Sequence, residues 1–127
     1  GLCLSIVVKK PQYDYSFSEM KAKIFHDIEK FNTLVEKYKN YILFGSGHYS
    51  MFLLNMTNIK PKYIFDSNKQ KCGHKVHDIT IEHCDEIKRF QNSTEIDSII
   101  VCCGIYNNEV EKMLINMNLN IPILKWE

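Results

Sequence analysis

The sequence predicts an α/β fold: a mostly parallel sheet flanked by helices on both faces, three layers in the order α/β/α. Three observations carry that expectation. From residue 41 onward, short apolar runs alternate with helix-like segments, the pattern of strands joined by crossover helices. The run Ser98-Ile99-Ile100-Val101-Cys102-Cys103 is apolar on both faces, as a central strand covered on two sides must be. Two of the runs end in glycine, at Gly45 and Gly104, which places tight turns at carboxyl ends of strands.

Taken in order, Leu2 to Val8 reads as an opening strand, broken by Lys9-Lys10-Pro11-Gln12. Ser16-Phe17-Ser18-Glu19 is a capping box, because a serine and a glutamate three residues apart can satisfy each other's exposed backbone donors at a helix start. Apolar residues then recur at Met20, Ile24, Ile28, Phe31, Val35 and Tyr38, widened by Phe25 and Leu34, so a long amphipathic helix follows. Its opposite face carries Lys21, Lys23, Asp27, Glu29, Lys30, Glu36 and Lys37 and reads as a solvated surface. The remaining expectations are a strand at 41–44, a helix at 47–57, a strand at 62–66, a short strand at 79–81, a helix at 82–90, a strand at 98–103, a helix at 108–118 and a strand at 121–124. Asn107 is placed to cap the last helix, with Val110, Met113, Leu114 and Met117 as its buried stripe.

Composition bounds the function. A chain of 127 residues with 45% hydrophobic content suits one domain with one core, and no repeat, low-complexity tract or linker divides it. Sixteen cations against 15 anions give a net charge of +1, which supplies no field for nucleic acid or an anionic membrane. Arg89 is the only arginine, so bidentate phosphate or base reading is not expected, and nucleic acid is left off the expected partners. No apolar run approaches the roughly 20 residues that span a bilayer, so no membrane is expected either. Five scattered cysteines, Cys3, Cys72, Cys84, Cys102 and Cys103, suit reduced thiols better than a disulfide framework, and the expected setting is cytoplasmic. The chain starts at Gly1 and runs straight into a strand, as a piece of a longer protein would.

Chemistry concentrates between residues 40 and 73. Tyr41-Ile42-Leu43-Phe44 opens into Gly45-Ser46-Gly47, and Tyr63-Ile64-Phe65 ends in Asp66, about 20 residues after the turn. This is the outline of a Rossmann-like nucleotide-binding βαβ unit. The glycines let backbone approach a phosphate, the helix start offers free N–H groups, and the acidic residue accepts from a ribose. The candidate nucleotide-binding residues are therefore Gly45, Ser46, Gly47, His48, Asp66 and Asn68, His48 as a donor to phosphate at the helix start. Ser50 stands where a dinucleotide fingerprint has a third glycine or alanine, which weighs against close dinucleotide packing.

Gly45, Gly47, Asp66, Asn68, Lys71 and Gly73 also fall on a Gly-x-Gly turn followed by an Asp-x-Asn-x-x-Lys-x-Gly segment. In that respect nearly the whole chain resembles the C-terminal, Rossmann-like domain of S-adenosylmethionine-dependent sugar C-methyltransferases. His48-Tyr49-Ser50 and Asp78 depart from that family's pattern. The resemblance implies a single domain, residues 1–127, that binds a nucleotide-linked sugar and positions it for methyl transfer in a preceding methyltransferase domain. It implies no catalytic residue and no cofactor in this piece, S-adenosylmethionine belonging to the parent protein. The alternatives are a stand-alone module for NAD or a sugar nucleotide, an N-terminal-type domain of a sugar-nucleotide acyltransferase, which the long helix before the turn disfavours, and a structural domain that binds nothing.

Two other clusters have plainer readings. Cys72, His74, His77, His83 and Cys84 offer soft and imidazole ligands but lack paired metal-ligand spacing, so no metal site is expected. Cys102 and Cys103 point to opposite faces of a strand with no nearby acid or base, and read as small buried hydrophobes rather than nucleophiles.

Overall fold

The computed structural model describes residues 17–126. The expected opening strand and the serine of the capping box lie outside them. Helix α1 (Phe17–Glu36) leads into β1 (Tyr41–Phe44), α2 (His48–Met56) and β2 (Tyr63–Asp66). A short hairpin, β3 (Lys75–Val76) and β4 (Ile79–His83), comes next, then a 3-10 helix, Cys84–Phe90. The chain continues through β5 (Ser98–Val101), a 3-10 turn at Gly104–Tyr106, α3 (Asn107–Asn116) and β6 (Ile123–Lys125).

Among the described residues the strands form one six-stranded sheet in the order β3-β4-β2-β1-β5-β6. All pairings are parallel except that of β3 with β4. The chain leaves β1 in one direction, through α2 to β2 and β4, and later returns to pair β5 against the other side of β1. The order therefore reverses between β1 and β5, and their carboxyl ends, at Gly45 and Cys102, open a crevice there.

Side-chain alternation divides the core between the two faces of the sheet, as the three-layer expectation requires. Leu43, Ile64 and Ile100 pack with Phe31 of α1 and Leu53 and Leu54 of α2. Ile42, Phe44, Phe65, Ile99 and Val101 pack on the other face with Ile87, Phe90 and Leu114. Eight of these strand residues are at most 1% exposed, which leaves no solvated face and explains why the strands read as unbroken apolar runs. Asp97 anchors the lower edge, its Oδ2 accepting from the Lys39 and Asn40 N–H groups at 2.8 and 2.9 Å just before β1.

Four local expectations need correction. Residues 84–90 form a 3-10 helix, not an α-helix: Cys84, Ile87 and Phe90 are buried at a spacing of three, the period of that helix and not of an amphipathic α-helix. Pairing of the central strand ends at Val101, where the Cys103 N–H turns to Asn107 Oδ1 at 2.7 Å. Asn107 is thus not the cap of α3. It is buried and bridges two strand ends, its Nδ2 donating to the Trp126 carbonyl at 2.6 Å. Finally, β3 was not expected, because its two residues carry too little pattern to read.

The β3–β4 hairpin turns on His77 and Asp78, both with positive φ, 51° and 65°. That geometry matches a type I′ turn, which suits the right-handed twist of a hairpin and favours glycine at its second position. Asp78→Gly is expected to stabilise the protein by roughly 0.5 kcal/mol, read as a raised denaturation midpoint in urea at unchanged slope. An unchanged or lowered midpoint would contradict this account of the turn.

Arg89 has an internal role. Its guanidinium takes Glu82 in a two-pronged pair at 2.7 and 3.0 Å and lies over the rings of Tyr63, Phe65 and Phe90, at 5.1, 5.5 and 4.7 Å from their centres. The only arginine of the sequence thus joins β4, β2 and the 3-10 helix.

Candidate functional site

The turn after β1 is built around one close approach. Gly45 has φ +115°, and a β-carbon there would lie 2.5 Å from the Cys102 carbonyl oxygen and 3.0 Å from Cys103 Sγ. Glycine is required at this position, since any side chain would collide with the end of β5. The Gly45 N–H still reaches the Phe65 carbonyl at 2.8 Å, so the turn is tied to the strand on its other side as well.

Beyond it, Gly47 takes the capping position of α2 in extended conformation, with no side-chain cap. The first helical bond is Met51 N–H to Gly47 O at 3.0 Å. The amides of the first turn therefore have no partner within the helix. A β-carbon on Gly47 would meet nothing within 4 Å, so the space beside that residue is open.

Ser46 joins the turn to the end of β2. Its backbone N–H and its hydroxyl both donate to Asp66 Oδ2, at 2.9 and 2.5 Å, while Asp66 Oδ1 accepts from the Asn68 N–H at 2.8 Å. Lys71 reaches in from the following loop, its Nζ 3.4 Å from the Ser46 carbonyl. Burial pushes the Asp66 carboxyl up, but the donors from Ser46 and Asn68 and the charge of Lys71 outweigh it, and the net shift is downward. Asp66 is thus held as a carboxylate at neutral pH. A carboxylate offers about four acceptor positions, and three are filled from within the chain, which leaves one for a ligand hydroxyl.

Of the six expected residues, the fold brings Gly45, Ser46, Gly47 and Asp66 together at the carboxyl ends of β1 and β2. His48 is exposed at the start of α2. The Asn68 side chain is engaged in its own loop: its Oδ1 accepts from the Gln70 N–H at 3.0 Å. Sequence reasoning left out Lys71 as a site residue and misjudged Ser50. The Ser50 side chain is 1% exposed, and its hydroxyl donates to the Cys102 carbonyl at 3.1 Å. A residue this small sits between α2 and β5 where a dinucleotide fingerprint has glycine or alanine, so the substitution preserves close helix–strand packing.

The cysteines beside the turn are not poised nucleophiles. Burial, reinforced by Cys102 and Asp66, pushes the Cys103 thiol up to about 11, and it donates to the Phe44 carbonyl at 3.5 Å. Among the described residues the one group of three potential metal ligands is His83, Cys84 and Asp85. These are consecutive, and the His83 ring accepts the Asp85 N–H at 3.3 Å as a cap for the 3-10 helix. Burial and the Asp85 charge both raise the Cys84 thiol. Cys72, His74 and His77 lie outside that group; His77 bonds to Asn55 Oδ1 at 3.0 Å.

No family model matches the chain. It is 29% identical over 97 residues to the redox-sensing transcriptional repressor Rex of Clostridium botulinum strain Eklund 17B, 71% of this chain and 43% of that protein. It is also 29% identical over 96 residues to Rex of Caldicellulosiruptor bescii, with 72% and 43% covered. The chain thus spans less than half the length of the curated relatives it matches. Among solved structures it resembles RSP, a Rex-family repressor, with a TM-score of 0.54 and 19% identity over 76% of this chain and 59% of that one. RSP in complex with beta-NADH gives a TM-score of 0.55 and 18% identity over 87% of this chain and 68% of the other. At these identities the structural matches establish the fold, which is Rossmann-like.

These findings overturn the sugar C-methyltransferase resemblance and what it implied: the methyltransferase parent, S-adenosylmethionine, the sugar-nucleotide partner and the absence of a cofactor in this domain. The exclusion of nucleic acid from the partners falls too, since the relatives are transcriptional repressors; the charge argument spoke only for these 127 residues. The physical reason for the error lies in the Asp-x-Asn-x-x-Lys-x-Gly segment. Asp66 closes on the turn, Asn68 caps its own loop and Gly73 takes a φ of +93°. Such residues serve any βαβ unit with a loop of this shape, so they do not identify a methyltransferase. As for the membrane, no helix among the described residues is long and apolar enough to cross one.

Proposed function

We propose that this chain is a dinucleotide-binding domain that takes NAD(H) and serves as the ligand-sensing part of a cytoplasmic transcriptional regulator. The observation that carries the reading is the junction of Gly45-Ser46-Gly47 with Asp66 at the point where the strand order reverses. An uncapped helix start and an ionised carboxylate there share one crevice. The residues fit the ligand: first-turn amides of α2 for the pyrophosphate, Asp66 for a ribose hydroxyl, and Ser50 small enough to keep the helix close. Residues 17–126 act as a single domain, and Gly45, Ser46, Gly47 and Asp66 are its binding residues, with His48 at the rim and Asn68 in support.

The relatives' role as redox-sensing repressors supports sensing rather than turnover. Bound nicotinamide supplies two forms, oxidised and reduced, that a binding protein can tell apart. An ionised Asp66 at the ribose also favours NAD(H) over NADP(H), whose 2′-phosphate would meet a negative charge.

Titration calorimetry with NADH, NADPH, dTDP and S-adenosylmethionine tests this. The expected result is saturable binding of NADH, with NADPH at least about tenfold weaker, one such factor being about 1.4 kcal/mol. Binding of dTDP or S-adenosylmethionine without NADH would refute the proposal.

A further inference from the structure

We propose that Lys71 is a positioning residue of the site: by holding the Ser46 carbonyl, its ammonium fixes the Ser46–Gly47 peptide with the Gly47 N–H turned away from the Asp66 loop and free to bond the pyrophosphate. This rests on the dinucleotide reading above.

The loop after β2 is wound so that it brings Lys71 back to the turn. Asp66 Oδ1 accepts from the Asn68 N–H at 2.8 Å, Asn68 Oδ1 from the Gln70 N–H at 3.0 Å, and the Asn68 carbonyl from the Lys71 N–H at 3.0 Å. Each bond closes a short turn, so the segment coils on itself instead of running out from the sheet. Its far end is tied down as well, since the Gly73 N–H reaches the Ile81 carbonyl of β4 at 2.9 Å. Lys71 is half-buried, whereas its neighbours Lys69, Gln70 and Lys75 are exposed. Among the described residues its ammonium has one hydrogen-bond partner, the Ser46 carbonyl, 3.4 Å away. At that length the interaction is mainly that of a charge with the carbonyl dipole.

Ser46 is therefore held on both sides by one loop. The peptide before it gives its N–H to Asp66 at 2.9 Å, and the peptide after it offers its carbonyl to Lys71. No peptide bond among the described residues is cis. In a planar trans unit the C=O and the N–H point in opposite directions, so a carbonyl directed at Lys71 directs the Gly47 N–H away from it. That N–H has no hydrogen-bond partner among the described residues. With the ammonium removed, nothing else holds the Ser46 carbonyl, and Gly47 is the residue type that accepts the positive φ a rotated peptide produces. A rotated peptide would take one donor out of the proposed pyrophosphate site.

The test compares the wild-type protein with Lys71→Met, which keeps most of the apolar stem and removes the ammonium, and with Lys71→Arg, which keeps a charged donor. Two quantities are read: NADH affinity by titration calorimetry, and the Gly47 amide resonance of the ligand-free protein by nuclear magnetic resonance. Circular dichroism confirms that each variant is folded. The expected result for Lys71→Met is NADH binding weaker by about tenfold together with a displaced Gly47 resonance, and for Lys71→Arg both quantities close to wild type. Unchanged NADH affinity in Lys71→Met would overturn the inference and leave the dinucleotide reading standing. So would a loss with the Gly47 resonance unmoved, which would make Lys71 only a source of charge for the ligand, or a loss that arginine does not restore. Failure of the wild-type protein to bind NADH would end both readings.

Discussion

Gly45→Ala is expected to cost about 3 kcal/mol of stability, the largest single-residue effect the site predicts. Two independent penalties combine. A φ of +115° is strained for any residue with a side chain, and the added methyl would sit 2.5 Å from the Cys102 carbonyl oxygen, a backbone atom that cannot turn aside. Relief requires β1 and β5 to separate at the point where Phe44 and Val101 pair and the Cys102 N–H reaches the Phe44 carbonyl at 2.9 Å. Urea denaturation of the purified variant measures the loss. A cost below about 1 kcal/mol would show that the two strand ends are not held as close as described.

Asp66→Asn is expected to cost about 2 kcal/mol and to weaken NADH at least about tenfold. The carboxylate accepts from three internal donors, and an amide in its place turns one acceptor oxygen into a donor facing other donors. The pH dependence gives a second readout. The folded-state pKa of Asp66 is lowered, so the native state favours the ionised form. Its contribution is complete above the ordinary carboxylate range and is lost as pH falls through the lower folded value. The wild-type protein should lose this increment of stability in acid, and Asp66→Asn should lack that part of the acid limb. Parallel pH profiles for the two proteins would contradict the assignment.

How much of this was legible in the sequence depends on which residues act locally. The α/β class, the three layers and the central strand were readable because β1 and β5 are buried on both faces and leave unbroken apolar runs. The Gly45 turn and Asp66 were readable because a tight strand-to-helix turn and an acidic strand end carry local signatures. Long-range contacts were not. Ser50 looked like a defect in the fingerprint until its hydroxyl was placed against Cys102, a residue 52 positions away. Asn107 looked like a helix cap, yet its amide joins two strand ends. The 3-10 helix at Cys84–Phe90 did leave a signal, three apolar residues at a strict spacing of three, which a search at the α-helical period passes over. The methyltransferase resemblance failed for a related reason: it rested on loop-forming residues that many nucleotide-binding units share.

The most direct test of the central claim is a backbone amide chemical-shift titration with NADH, followed by nuclear magnetic resonance. The account predicts the largest shifts at Gly47, His48, Tyr49 and Ser50, the free donors at the start of α2, accompanied by shifts at Ser46 and Asn68, whose N–H groups bond Asp66. Saturable shifts confined to another part of the chain, or none at all, would contradict it.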